Sequence, residues 1–270
     1  MPAEWTHTTL GRTGIDVCRL GLAAGYGVPA AAVERAFERG VNYLYWGSMR
    51  RGGFGSALKN LKSRRERMTL VLQSYSRMAG LVGWSVERAL RKIGYGHADV
   101  LLLGLWNQAV PPRILDAARK LRERGLIRHI AVSSHERPMF PVLAQDGDID
   151  VLHVRYNAVH TGAEREVFGM LGPQRPGVVT FTATSWGQLL NRKRVPAQER
   201  VPTAADCYRF VLSNPAVDVC IAGSSTDAHM DEALGVLDAG AMNEEEMGWM
   251  RRVGEAIHQG KAPLPLVAAR

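Results

Sequence analysis

The chain has 270 residues, 46% of them hydrophobic and 22% charged. This is ordinary water-soluble globular composition, and it excludes a disordered chain, a collagen-like chain and a disulfide-stapled miniprotein. The formal net charge is +8, from 34 Lys and Arg against 26 Asp and Glu. A nucleic-acid binder gathers such charge on one face or tail, whereas here it is spread along helical stretches as Arg35 and Arg39, Arg88 and Arg91, Arg119 and Arg122.

In chain order, residues 7–16 read as a hairpin around Leu10-Gly11-Arg12-Thr13-Gly14. Eight short strands follow, at 18–23, 42–46, 68–75, 99–104, 128–133, 149–154, 178–183 and 217–221. Helical spacing lies between them: Val33, Ala36 and Phe37, then 86–91, 112–124, 164–168 and 203–212. Gly40, Gly94 and Gly125 stand where left-handed caps end helices. Thr203 and Asp206 have the spacing of a capping box, and 243–258 forms an additional helix. Several strands are apolar throughout, as in a parallel sheet covered on both faces. Eight strand–helix units in a chain of this length match a closed (β/α)8 barrel, an α/β fold, with the hairpin plugging its bottom. The competing doubly wound sheet would show Gly-x-Gly-x-x-Gly after its first strand, and Gly21, Gly25 and Gly27 lack that spacing. The expected organisation is one domain over 1–260 and a loose tail over 261–270. The longest apolar run, 100–106, falls far short of the roughly 20 residues of a membrane helix. No basic-then-apolar leader is visible, and Cys18, Cys207 and Cys220 form no Cys-x-x-Cys pair. The expected compartment is therefore the cytoplasm, with no membrane or nucleic-acid partner and a small molecule as substrate.

Seven motifs in order carry a family resemblance: Thr9-Leu10-Gly11-Arg12-Thr13-Gly14 leading to Cys18-Arg19-Leu20-Gly21-Leu22; Gly40-Val41-Asn42-Tyr43; 94–103; 125–133; Tyr156-Asn157; Thr184-Ser185-Trp186-Gly187; and 221–225. Together they resemble an aldo-keto reductase from residue 8 to about 257. The resemblance implies a (β/α)8 barrel that reduces carbonyls with a nicotinamide cofactor, usually NADP(H). It also implies a catalytic Asp, Tyr, Lys and His. Those positions fall on Tyr45, Arg50, Gln73 and Gly104, so the tetrad is missing. The implied cofactor contacts fall on Ser133, Ser134, His153, Thr184, Gly223 and His229, with Ser224 and Ser225 alongside and Trp186 as a substitute stacking face.

Residue chemistry at the open end narrows the reading. No lysine stands at the end of a strand, which excludes a Schiff-base enzyme. Asp99, Asp150 and Asp218 stand at strand beginnings, where a structural role is expected. No carboxylate pair faces the mouth, which argues against a glycosidase. The candidate catalytic residues are Tyr45 as proton donor, His153 as general acid or base, and Arg50 as the cation beside Tyr45; packing as an aromatic lid or a lumen histidine is the competing role. Trp46, Tyr75, Trp106, Asn107, His135 and Arg155 are candidate pocket residues, with Tyr156 nearby; Arg155 suits a carboxylate or phosphate. His135 and His153 lack a third ligand, so no metal is expected. Two functions stand: an NADP(H)-dependent oxidoreductase with a non-standard proton donor, and a barrel that binds a small molecule or partner, or runs non-redox chemistry. A monomer or weak oligomer is expected.

Overall fold

A computed structural model describes residues 3–47 and 52–260. Arg50 and the tail 261–270 lie outside the described residues. A short helix α1 (Ala3–Thr6) precedes a hairpin, in which β1 (His7–Thr9) pairs antiparallel with β2 (Asp16–Cys18). Eight parallel strands then close on themselves: β3 (Leu20–Ala23), β4 (Tyr43–Trp46), β5 (Thr69–Ser74), β6 (Ala98–Leu103), β7 (Ile127–Ser134), β8 (Val151–Arg155), β9 (Gly177–Phe181) and β10 (Val219–Ala222), with β10 pairing back on β3. The helices around them are α2 (Ala30–Glu38), α3 (Phe54–Asn60), α4 (Ala79–Ile93), α5 (Pro112–Glu123), α6 (Met139–Gln145), α7 (Ala163–Glu166), α8 (Ala204–Leu212), α9 (Asp227–Leu234), α10 (Val236–Ala239) and the additional α11 (Glu244–Gln259). The fold is a (β/α)8 barrel with an N-terminal hairpin. Among the described residues, no helix is long and apolar enough to cross a membrane.

Strand alternation divides the apolar residues into two cores. Tyr43, Val71, Val100, Leu102, Ala131, Val151, Val179 and Val219 fill the lumen. Leu44, Trp46, Leu70, Leu72, Leu101, Leu103, Val132 and Leu152 pack under the helices. Leu10 and Val17 of the hairpin belong to the lumen core and are fully buried, so the hairpin closes the bottom. Gly11, at φ +45°, lies so close to the Gly177 backbone that no Cβ would fit. The Arg12 guanidinium fastens the turn by donating to the carbonyls of Asp146 (2.7 Å) and Ile149 (2.6 Å).

The three strand-opening aspartates repeat one device at this end. Asp99 accepts from the backbone N–H of Leu70 (2.7 Å), Asp150 from Ile130 (3.0 Å) and Asp218 from Val178 (2.8 Å). Each ties its strand to the preceding one. Each also meets an arginine: Arg65 at 2.8 Å, Arg122 at 3.8 Å and Arg175 at 2.7 Å. Gly40, Gly94 and Gly125 take the positive φ expected of them, at 96°, 75° and 70°. The capping box before α8 is present, with Thr203 N–H donating to Asp206 at 2.9 Å and Asp206 N–H to Thr203 Oγ1 at 3.1 Å.

Candidate active site at the open end of the barrel

The inward positions at the strand ends are set by the same alternation. Tyr43 and Tyr45 point into the lumen from β4, Gln73 from β5, Ser133 from β7, and His153 and Arg155 from β8. Tyr43 Oη is hydrogen-bonded to His153 Nε2 at 2.9 Å. Tyr45 Oη donates to Gln73 Oε1, and the Tyr45 ring lies 5.9 Å from the His153 ring. His153 is buried, and burial pushes its pKa down to about 3; burial likewise pushes the Tyr43 phenol well up. Tyr43 and His153 are both neutral near pH 7. None of the eight barrel strands carries a lysine, and Asp99, at the opposite end, is their one carboxylate.

Gly104 follows β6 directly. A Cβ there would run into the Gln73 amide and come within 2.8 Å of the Tyr75 ring. Tyr75 is half exposed at the rim. Tyr26, on the loop after β3, lies across the top of β10, with its ring 2.5–2.8 Å from where a Gly223 Cβ would stand.

Several expected pocket residues serve other purposes. Trp46 follows Tyr45, so alternation turns it outward; it is buried against α3, where Gly55 leaves room for its ring. Tyr156 also packs outside the lumen, between Phe168 and Phe210, and its hydroxyl donates to Glu164 at 2.5 Å. Trp106 is buried beneath the Arg77 guanidinium, 3.8 Å from the ring centroid, and Arg77 donates to the carbonyls of Gly104 (2.9 Å) and Leu105 (2.6 Å). Asn107 Oδ1 accepts from His135 N–H (2.9 Å) and from Ser134 Oγ (3.3 Å). Ser134 also caps the turn by accepting from Glu136 N–H at 2.9 Å. Trp106, Asn107 and Ser134 thus hold the loops after β6 and β7 in place.

The segment after β9 is conformationally strained. Thr182, Ser185 and Trp186 all have positive φ, at 59°, 50° and 59°, a region that non-glycine residues seldom occupy outside functional sites. Asn157 holds this segment by donating from Nδ2 to the Thr182 carbonyl at 2.8 Å, and Thr184 Oγ1 accepts from Gly187 N–H at 3.2 Å. The strain leaves Trp186 57% exposed and Ser185 fully buried. Ser185 Oγ and Ser224 Oγ, which follow adjacent strands, are buried without a hydrogen-bond partner among the described residues. Ser225 Oγ, by contrast, is hydrogen-bonded to His229 Nδ1 at 2.9 Å.

At the rim, the Cα of Arg155 stands opposite that of Phe181. The Phe181 ring is stacked on His135, with centroids 6.2 Å apart and planes at 29°. The structure therefore brings Tyr45, His153, Arg155 and His135 to one end of the barrel and adds Tyr43, Gln73, Tyr26, Phe181, His160 and Ser185. Of these, Tyr26 had a readable signal, an aromatic residue between Gly25 and Gly27. Both glycines take positive φ, 113° and 92°, which shapes the loop that carries it.

The Aldo/keto reductase family model matches residues 30–204, from the start of α2 to the start of α8. The fold is similar to the holo form of an aldo-keto reductase from Bacillus halodurans, with TM-score 0.76 and 19% identity over 93% of this chain and 96% of that one. It is equally similar to an aldo/keto reductase from Klebsiella pneumoniae described in complex with NADP and acetate, with TM-score 0.76 and 19% identity over 92% and 95% of the two chains. With most of the barrel inside the family match, this chain belongs to the aldo/keto reductase family.

Proposed function

We propose that the protein is an oxidoreductase that binds NADP(H) at the ends of β9 and β10 and reduces a small carbonyl or related activated substrate without the usual proton donor. The observation that carries this reading is the pair of buried, unpartnered hydroxyls of Ser185 and Ser224. Leaving a buried hydroxyl unsatisfied costs about 1–3 kcal/mol, and two on neighbouring strand ends suit a ligand rich in amide and phosphate groups. Ser133 at the end of β7 and the exposed face of Trp186 complete the surface that would hold such a ligand. The Klebsiella relative's complex with NADP supports the choice of cofactor. When bound, the cofactor supplies the hydride.

The chain's own residues set the limits on the proton. The Tyr45 proton is directed to Gln73 Oε1, and a neutral amide provides no cation to stabilise a phenolate. His153 carries no proton to give near pH 7 beyond the one of its neutral ring. A missing general acid costs about 10² to 10⁴ in rate, which a substrate activated before it arrives, such as an iminium or quinone-like group, escapes. Arg50 remains a candidate cation for Tyr45.

Titration with NADPH, followed by thermal shift, tests the reading. A binder gains about 2.7 kcal/mol at a hundredfold excess over Kd. Ser185→Ala and Ser224→Ala are expected to weaken NADPH binding while raising the stability of the unliganded protein, because each removes an unsatisfied group. No shift with millimolar NADPH or NADH overturns the reading. That outcome would favour a barrel that binds a small molecule without redox chemistry, a role consistent with Tyr26 lying across Gly223.

A further inference from the structure

We propose that Arg155 anchors an anion subsite at the barrel mouth, which takes an oxyanion group (a carboxylate or a phosphate) carried by the substrate. The proposal rests on the reading of the mouth as the substrate site and adds the substrate's chemical class to it. Arg155 ends β8, two positions beyond His153, and is half-buried. The neighbouring arginine is committed: Arg137 pairs with Glu166 at 2.7 Å. Among the described residues, nothing accepts a hydrogen bond from the Arg155 guanidinium and no carboxylate faces it.

The titratable groups it does meet are basic. Burial, and after it Arg137, lower its proton affinity. Burial first, and Arg155 after it, push down His135, on the loop after β7, and His160, on the loop after β8. Glu136 acts on His135, and Glu166 is occupied by Arg137 and Arg165. One wall of the subsite is apolar, formed by Phe181 and the His135 ring stacked on it. A guanidinium partly withdrawn from water with no counter-charge is unfavourable. Its planar fork of donors is matched by an oxyanion that accepts two parallel bonds. The Arg155 charge beside this low-dielectric wall also attracts anions.

The test uses the whole chain without cofactor, with malonate, inorganic phosphate and uncharged malonamide as probes in calorimetric titrations. Malonate or phosphate is expected to bind the wild type and to bind Arg155→Gln about tenfold more weakly or worse, as expected for loss of a charge-assisted bidentate contact. Malonamide is expected to bind neither. Arg155→Lys keeps the charge but loses the fork, so its affinity falls in between. Tighter malonate binding identifies the group as a carboxylate, and tighter phosphate binding as a phosphate. Equal affinities for wild type and Arg155→Gln, or binding of neither anion, overturn the proposal. Among the described residues Arg155 has no hydrogen-bond partner, so Arg155→Gln is expected to melt with the wild type; if it does not, Arg155→Lys carries the comparison. Anion binding without an NADPH shift leaves the subsite standing and removes the oxidoreductase reading, whereas the reverse removes only the subsite.

Discussion

His153 shows how burial decides the role of a single side chain. It is 2% exposed and bonded to Tyr43, with a pKa near 3 against about 6.5 in an unfolded chain. Between those values the unfolded chain takes up a proton that the folded chain refuses. Stability is therefore full above about pH 6.5 and falls as pH drops toward 3, at up to about 1.4 kcal/mol per pH unit for one such group. His160, pushed down to about 4 by burial and by Arg155, His258 and Arg137, adds to the same slope. His153→Gln retains a polar partner for Tyr43 and does not titrate. Urea midpoints measured from pH 7.5 to pH 4.5 are expected to decline less steeply in this variant, and parallel declines would show that His153 does not hold its neutral form through burial. The positions of Tyr45, His153 and Arg155 were legible from alternation along their own strands. Gln73 beneath Gly104, Tyr26 across Gly223 and the stack of His135 on Phe181 were not, because each contact joins residues far apart in sequence. Trp46 shows the converse: it adjoins Tyr45 in the chain, but alternation sends it to the other side of the sheet.

At the scale of elements, the strands were the readable part because a doubly covered parallel sheet leaves continuous apolar runs. All eight expected strands overlap an observed one, with ends shifted by a residue or two. The helices α3, α6 and α9 carried weaker signals. α3 starts at Gly53-Phe54-Gly55 with no side-chain cap, α6 buries only Phe140 and Leu143, and α9 gathers its apolar residues only weakly on one face, with Met230, Ala233 and Leu234 buried. The bottom aspartates tie β5 to β6, β7 to β8 and β9 to β10, and their contribution is separable from the chemistry at the top. Asp218 accepts from Val178 N–H and pairs with Arg175 through both oxygens at 2.7 Å, almost shielded from water. Asp218→Ala strands that guanidinium and a strand-opening N–H, which is expected to cost about 3 kcal/mol. A urea-melt comparison measures the loss. Malonate affinity is expected to remain at the wild-type value, and a parallel fall in affinity would show that the two ends are coupled.

For the molecule as a whole, many of the helix arginines sit in local pairs with acids. Arg35 meets Asp227 and Asp231, Arg39 meets Asp238, and Arg119 and Arg122 share Asp148. Exposed pairs of this kind contribute little stability. The barrel's polarity lies along its axis instead, with an apolar plug at the bottom and basic, aromatic groups around the mouth. Leu10 seals the bottom against Gly177, and Arg155 stands opposite Phe181. The four residue-to-residue steps from Gly177 to Phe181 along β9 separate the two by roughly 13 Å at the usual strand rise, beyond the range over which substitutions normally couple. Leu10→Ala, at a fully buried position, is expected to cost about 3 kcal/mol with malonate affinity intact. Arg155→Gln is expected to do the opposite, sparing stability and weakening malonate. In the double variant the stability changes should add within about 0.5 kcal/mol, and the affinity loss should equal that of Arg155→Gln alone. A larger departure, measured by paired urea melts and titrations of the four proteins, would mean that the packed lumen between plug and mouth transmits strain from one end to the other.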